Sequence, residues 1–591
     1  MKRLNYIYIV AYLLMAPGFL GAQNTKDNAT KTPDTLRREL TVITDRKITL
    51  DNRRGFPLSI KGKSPHIEPF TGSLQSPPSG NTLYAIPLGE SLNPMAEEFE
   101  TSTKKGFVNF GLGLKHNFRG DFGYRFINKE NRTFDIFAAN RSTDAPVSTT
   151  AVNQDTKALD FQTLAGLRYK ENGEIWNFGF TGTYLHRFYN FYGIIPNGGT
   201  IADTYTPYAY ETPNDAKTHR IALRLDLEKK SESLLSAASK GYVSYNFLSK
   251  GTNMLQKTYH LKEHHLQAYN DLYTKISHSF SAGILGQVNF IVQNQEEGLR
   301  FSEKEKQSNP FLSLSGTPYL KVANSYDDLS WSLLAGIGIS FNVKPYTKLL
   351  LTPKVSFDLS FGKYWQLQSE IEGGFIHHTL YETLSAMPFL TPDYSLRHAN
   401  EKINARIALK GIVNSNISIR FFGEYSKKDH DLFFNPNTLP NIDTDNRQVF
   451  FKPYYANTSR WSLGGMFGYK MGSIWETELG VKYNNYSSEE SVILSAVPTF
   501  ESNAKISLRP LQKVTISIGY DMLSGRKSYD PYGNEFSLKD MHLITCHANY
   551  RFNQTFSVYL NGAGQLNGKT ERFWGYYHQN YYVLGGVNIN F

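Results

Sequence analysis

Arg220-Ile-Ala-Leu-Arg-Leu-Asp-Leu-Glu228 is the stretch on which the fold turns. Ile221, Leu223, Leu225 and Leu227 take every second place, and Arg220, Arg224, Asp226 and Glu228 stand between them. A strand sends successive side chains to opposite faces, so this segment is apolar on one side and charged on the other. A helix would need its apolar residues three and four apart. The pattern recurs. Ile403, Ala405, Ile407 and Leu409 alternate with Lys402, Asn404, Arg406 and Lys410. Val514, Ile516 and Ile518 alternate with Thr515, Ser517 and Gly519. The run begins at Gly106, where Val108, Phe110, Leu112 and Leu114 alternate with Asn109, Gly111, Gly113 and Lys115.

Composition fits half-apolar strands. The chain has 591 residues, 14% of them aromatic, with 38 Tyr and 39 Phe. Its mean hydropathy is −0.42. Several membrane helices would need runs of about 20 apolar residues, and a disordered chain would be poor in aromatics. The one cysteine, Cys546, excludes an intrachain disulfide framework and a multi-Cys metal site. A net charge of +10 permits a polyanion or an anionic surface as partner without choosing between them.

Lys2 and Arg3 precede the apolar run from Ile7 to Leu20, and Gly21-Ala22 supply small residues. Residues 1–22 therefore read as a cleaved signal peptide without a lipoprotein cysteine. Residues 23–105 hold Pro-rich pieces such as Gln75-Ser-Pro-Pro-Ser-Gly80 and little periodicity. They read as an extended periplasmic segment, with Arg38 to Ile48 able to add as a strand to a protein partner.

Residues 106–591 are hairpin after hairpin. Short turns at 128–131, 171–174, 414–416, 471–473 and 553–555 alternate with long connections at about 190–217, 295–309, 380–399, 435–458 and 568–580. Short turns at one end and long loops at the other are the arrangement of outer-membrane barrels, whereas a soluble sandwich has no such parity. An open sheet edge in lipid would leave backbone groups unpaired, so the sheet must close. The expected fold class is all-β: a transmembrane antiparallel β-barrel of about 22 strands (18–22, because 230–239, 344–347 and 445–458 are hard to divide). The expected location is the Gram-negative outer membrane.

The chain ends in a strand. Tyr581, Val583, Val587, Ile589 and Phe591 share one face, and Asn588 and Asn590 share the other. This resembles the C-terminal assembly signal read by the barrel assembly machinery. Together with Gly106-Phe-Val-Asn-Phe-Gly-Leu-Gly113, it resembles the barrel half of TonB-dependent receptors, and within them the plugless barrels of Bacteroidota. Asp34-Thr-Leu-Arg-Arg-Glu-Leu-Thr-Val42 resembles the N-terminal extensions of such proteins. The resemblance implies periplasmic or outer-membrane protein partners acting through residues 23–105. It departs from the receptors in that these residues lack a plug's length and strand pattern, and no TonB box stands out.

Arg220, Arg224, Asp226, Lys402, Arg406, Lys410, Arg420, Lys505 and Arg509 are expected to face the lumen. Two readings follow: an anion-favouring passage, or a wall cross-linked by Arg–carboxylate pairs. Tyr184, Phe188 and Tyr189 fit an interfacial aromatic girdle. The loop from Ile194 to Tyr210 is placed to fold inward or cap the barrel. His264-His265 and His377-His378 are adjacent, so as strand residues neither pair can chelate one metal. Asp429, His430, Asp431, Asp443 and Asp445 lack the spacing of a calcium loop.

No catalytic, cofactor or metal residue is assigned. No Gly-x-Ser-x-Gly elbow occurs, and Cys546 shares the apolar register of Ile544, Ala548 and Tyr550. The basic balance suits outer-membrane lipid and lipopolysaccharide. Nucleic acid has no compact basic-aromatic patch to bind. Three functions are carried forward. A non-enzymatic subunit of an envelope complex for outer-membrane protein assembly or export comes first. A receptor-like or porin-like transport barrel for a small solute comes second, and a barrel enzyme last.

Overall fold

A computed structural model describes residues 104–591, apart from 115, 149–154, 194–214, 231–234, 255–256, 299–304, 327, 345–347, 363, 393–395, 415, 438–448, 490–493 and 530–533. The expected signal peptide, nearly all of the 23–105 segment and the Ile194–Tyr210 loop lie outside the described residues, as do Asp443 and Asp445.

Twenty-two antiparallel strands close into one barrel. The first eleven are β1 (Gly106–Gly113), β2 (Phe118–Lys129), β3 (Arg132–Ser148), β4 (Asp155–Asn172), β5 (Trp176–Asn190), β6 (Asp215–Lys229), β7 (Ala237–Met254), β8 (Lys257–Lys275), β9 (Phe280–Gly298), β10 (Glu305–Tyr326) and β11 (Leu329–Lys344). Then come β12 (Lys348–Phe361), β13 (Trp365–Ile376), β14 (Ala399–Asn414), β15 (Ile417–Asn437), β16 (Phe450–Met471), β17 (Trp475–Ser488), β18 (Phe500–Leu511), β19 (Val514–Ser524), β20 (Met541–Arg551), β21 (Phe556–Gln565) and β22 (Tyr581–Asn590). Every even-to-odd connection is short, on the side of the C-terminus. All the long ones are at the other end.

Alternation produces the lipid face directly. Gly182, Leu223, Tyr245, Leu266 and Phe290 are cross-strand neighbours on β5 to β9, and so are Phe180, Leu225, Val243, Ala268 and Val288. Higher on the same outer face the row becomes His186, His219, Ser249, Lys262 and Asn294. The apolar band ends between them, where the Tyr184 and Tyr245 hydroxyls hydrogen bond to Nδ1 of His219 and His264, each at 2.8 Å. Exposed Trp176, Trp475, Phe552 and Phe591 mark the other border. Tyr184 and Phe188 share this outer face. Tyr189 does not: an odd residue on β5, it turns inward and is buried.

Two expected loops are shorter than read. β9 runs to Gly298 and β10 starts at Glu305, while β16 starts at Phe450. Above the lipid, neither face must be apolar. The ladder continues there without the alternation that reveals it.

The barrel closes between β22 and β1, from Phe107 opposite Asn590 to Gly113 opposite Leu584. Gly106 N–H donates to the Phe591 carbonyl at 2.8 Å, and Phe591 N–H returns the bond at 2.9 Å. The Phe591 ring stacks on Tyr124 at 6.1 Å. Inside the seam, Tyr559 lies flat over Gly111 and Gly586, where any Cβ would collide with its ring or hydroxyl. Gly586→Val should therefore cut the yield of folded barrel severalfold, read as the heat-modifiable band on a denaturing gel. Gly562→Ala, whose Cβ meets only an ordinary contact at 3.6 Å, should leave that band unchanged.

Candidate functional site: the closed outer mouth

Among the described residues the largest buried apolar cluster is not confined to the barrel wall. It gathers Val147, Ala158, Tyr189, Ala216, Leu248 and Leu261 from the inner faces of β3 to β8. It joins them to Phe433, Phe434, Phe450, Phe451 and Ala456 of β15 and β16. β5 and β16 stand eleven strands apart in a ring of twenty-two, so the cluster crosses the lumen. The long connections bridge it with Phe191 and Tyr192, with apolar residues between Leu380 and Leu390 and with Leu396, with Leu494, Ala496 and Val497, with Leu538, and with Phe573, Trp574, Tyr576 and Tyr577.

One short helix organises the middle. In α1 (Leu380–Ala386), Thr379 and Glu382 form a capping box, which satisfies N–H groups that a helix start leaves open. The Glu263 carboxylate, on the inner face of β8, accepts Leu380 N–H at 2.7 Å and Gln293 Nε2–H at 2.8 Å. The helix is thus tied to the wall. Beyond it, Phe451 N–H donates to the Phe389 carbonyl at 3.0 Å and Thr391 N–H to the Phe451 carbonyl at 2.9 Å.

Tyr576 is the keystone. It is wholly buried, stacked on Phe389 at 3.8 Å and edge-on to Tyr192 at 5.1 Å. Its hydroxyl donates to the Val449 carbonyl at 2.7 Å. Gly193 supplies the room, since a Cβ there would strike the Tyr576 ring. The Tyr189 hydroxyl donates to the Pro388 carbonyl at 2.7 Å. Arg526, 2% exposed, donates to the carbonyls of Arg572, Lys539 and Glu571 and stitches the last two loops together.

Four histidines sit in the cap, His578 buried and the other three half-buried. His377 bonds to Ser313 Oγ through Nε2 at 2.7 Å. His398 Nδ1 accepts the His378 N–H at 3.1 Å and its ring packs 3.8 Å from Phe311. His578 bonds to the Gln579 carbonyl at 2.8 Å. Burial pushes His377 down to about 3, His398 to about 2, and His378 and His578 to about 4. Burial raises Glu382 and Glu571 in the same cap. His377 and His378 follow β13 rather than continuing it, so the strand argument made for that pair does not apply. His264 and His265 do face opposite ways on β8. Among the described residues no group of three or more His, Cys, Asp or Glu is arranged to hold a metal ion.

Below the cap the inner wall carries charge in shared pairs. Asp121 takes Arg119 at 2.8 Å and also Arg141. Asp135 takes Arg125 at 2.6 Å and Arg168 at 3.1 Å, and Asp160 takes Arg187 at 2.8 Å. Across the lumen Lys354 bridges Glu370 at 2.8 Å and Glu372 at 2.6 Å, Arg406 sits 3.4 Å from Glu372, and Arg460 pairs with Glu424.

The sequence-assigned charges fall into this scheme unevenly. Arg220 donates to Asn246 Oδ1 at 2.6 Å and lies 3.6 Å over the Tyr381 ring of α1. Arg224 pairs with Asp226 at 2.8 Å. Lys410 stands opposite Arg420, which lies 5.5 Å over Phe422, and Lys505 stands opposite Glu478. Arg509 is next to a short turn, its N–H bonded to the Ile474 carbonyl. Lys402 is out of step with Asn404, Arg406 and Lys410. The register shifts between Glu401 and Ile403, and Lys402 pairs with Asp429 at 2.7 Å while half-exposed. Sequence reading missed Asp121, Asp135, Asp160, Arg187 and Glu263, although Arg119-Gly-Asp121 already places two charges on one face. It also missed Phe573-Trp-Gly-Tyr-Tyr577, too aromatic for a solvated loop.

No family model matches the chain, and no curated relative does. Many solved structures do. The pyoverdine outer-membrane receptor FpvA of Pseudomonas aeruginosa aligns at 12% identity with a TM-score of 0.60, over 83% of this chain and 78% of that one. The ferric-catecholate import receptor Fiu of E. coli K12 aligns at 9% identity and 0.58, over 83% and 82%. The FrpB iron transporter of Neisseria meningitidis aligns at 11% identity and 0.59, over 85% and 83%. At such identities the likeness is one of fold, and these neighbours are TonB-dependent receptors. The chain is a closed 22-strand antiparallel β-barrel with the fold of these outer-membrane receptors' barrels.

Proposed function

We propose that this protein is a gated transport barrel, passing a small solute through its lumen when its own loops withdraw from the outer mouth. One observation carries the reading: the apolar cluster that spans the barrel from β5 to β16 is completed by loop residues packed between the two walls at the long-loop end. A passive scaffold has no use for a polar lumen roofed by an apolar lid. A barrel without a plug needs such a lid, because a wide lumen left open would leak.

The envelope-complex subunit that the sequence put first gains no support from fold or neighbours, and the transport barrel that stood second is adopted. Several finer readings go with it as part of the proposal. Residues 1–22 direct export, residues 23–105 reach periplasmic partners, the last strand serves the assembly machinery, and lipopolysaccharide surrounds the outer rim. The inward Arg and Lys line the route, and no chemistry is done on the solute.

Liposome swelling with neutral sugars of graded size tests the proposal. Wild-type protein should admit them slowly, and a variant with residues 380–390 replaced by a short Gly-Ser link should admit them at least tenfold faster, the effect falling with sugar size. Equal and negligible rates for two folded barrels would refute it.

A further inference from the structure

Arg187 on β5, Thr218 on β6 and Lys250 on β7 stand side by side on the inner face, directly opposite one another in register. Arg187 is satisfied by Asp160 at 2.8 Å and 3.0 Å. Lys250 is not. Its side chain is wholly buried, and its ammonium has no hydrogen-bond partner among the described residues. Its Nζ is 5.9 Å from the Tyr189 ring centre and 5.8 Å from that of Phe191. The Arg187 guanidinium lies 4.9 Å over the same Tyr189 ring. The two cations are thus roofed by two aromatic faces.

A buried ammonium without a hydrogen-bonded partner costs several kcal/mol, and ring faces return only part of that. A methionine at this position would seal the cap better. The lysine is therefore explained by what it does when uncovered. The cap helps to hold this roof down: Tyr189 bonds to the Pro388 carbonyl at 2.7 Å, and Phe191 packs on Phe389 at 6.4 Å and on Phe450 of β16 at 5.5 Å. When the loop carrying Pro388 and Phe389 withdraws, Tyr189 loses its hydrogen bond and Phe191 loses the Phe389 ring beside it. Lys250 then faces the lumen beside Arg187 and the Thr218 hydroxyl.

We propose that Lys250, with Arg187 and Thr218, forms an oxyanion subsite on the solute's path, for which Tyr189 and Phe191 stand in while the mouth is closed. The solute accordingly carries a phosphate, sulfate or carboxylate group. This rests on the transport reading and adds the chemical class of the cargo. Asp160 remains with Arg187, so the row keeps a surplus of positive charge.

The test uses the full chain carrying Tyr576→Ala, which loosens the cap, in a planar bilayer with inorganic tripolyphosphate added on the loop side. The polyanion should block the current. Lys250→Met should raise the half-blocking concentration at least tenfold, Lys250→Arg should restore block, and Lys402→Met, removing a charge outside the row, should not change it. Lys250→Gln replaces the methionine variant should that one not assemble. A conducting Lys250→Met or Lys250→Gln channel blocked at the parental concentration overturns the subsite and leaves the gate standing. A folded Tyr576→Ala barrel that passes no current overturns the transport reading, and the subsite with it.

Discussion

Lowering the pH from about 7.5 to about 5 should release the cap. His578 is buried and His377, His378 and His398 are half-buried; desolvation holds His377, His378, His398 and His578 neutral, pushed down to about 3, 4, 2 and 4 respectively. In an opened, hydrated cap each would return towards an ordinary value near 6.5. Such groups stabilise the closed state fully above that ordinary value. The stabilisation is lost as pH falls below it, because only the open state can then take the proton. Over this range each histidine contributes about 2 kcal/mol towards opening, so two of the four shift the balance by roughly a thousandfold.

The carboxyls in the cap oppose this in part. Glu382 and Glu571 are raised by burial, so the closed state takes up their protons first and gains as pH falls. Asp431 also favours the charged form of His378. The histidines outnumber these groups, and His398 would in addition lose the bond its Nδ1 accepts from His378 N–H. Hydrogen exchange of peptides covering 377–398 and 571–579 reads the effect. After correction for intrinsic rates, protection should collapse near pH 5 while the barrel strands stay protected. Unchanged protection in those loops would remove the histidines from the gate.

Tyr576→Ala should open the mouth at neutral pH. The side chain is fully enclosed by Phe389, Tyr192 and Phe451. Removing a buried aromatic costs about 3–5 kcal/mol, and the lost hydroxyl bond to Val449 adds about 1 kcal/mol. The closed-to-open ratio should fall by about a thousandfold or more. Tyr576→Phe keeps the packing and loses only the hydrogen bond, so it should lose roughly fivefold. Exchange of the Thr383 to Thr391 amides ranks the three proteins in that order. Equal protection in all three would mean that Tyr576 fills space without holding the gate.

The barrel was legible because lipid enforces period two. Ile221, Leu223 and Leu227 lie exposed on the outer face, where their alternation with Arg220 and Arg224 places them. Legibility ends where the lipid ends. The upper parts of β9, β10 and β16 keep their hydrogen bonds but not their alternation, so they read as loops. Tyr189 was misplaced although the same rule decides it: two residues of one strand five apart, such as Tyr184 and Tyr189, face opposite ways. Lys402 was misplaced because a register shift between Glu401 and Ile403 leaves no mark in the residue pattern.

The cap was not legible for a different reason. Its bonds join Tyr189 to Pro388, and Tyr192 to Tyr577, across 199 and 385 residues. No local pattern records such contacts. Lys250 shows the limit well. Its place seven residues along the strand from exposed Val243 puts it on the inner face, but only the assembled cap turns a lumen lysine into a buried one.

Planar-bilayer recording of single barrels at neutral pH, wild type beside Tyr576→Ala, shows whether loops close a conducting lumen. The wild type should be almost always shut and the variant should show long, large openings. Two folded barrels that are both silent, or a wild type as open as the variant, would contradict a loop-closed lumen.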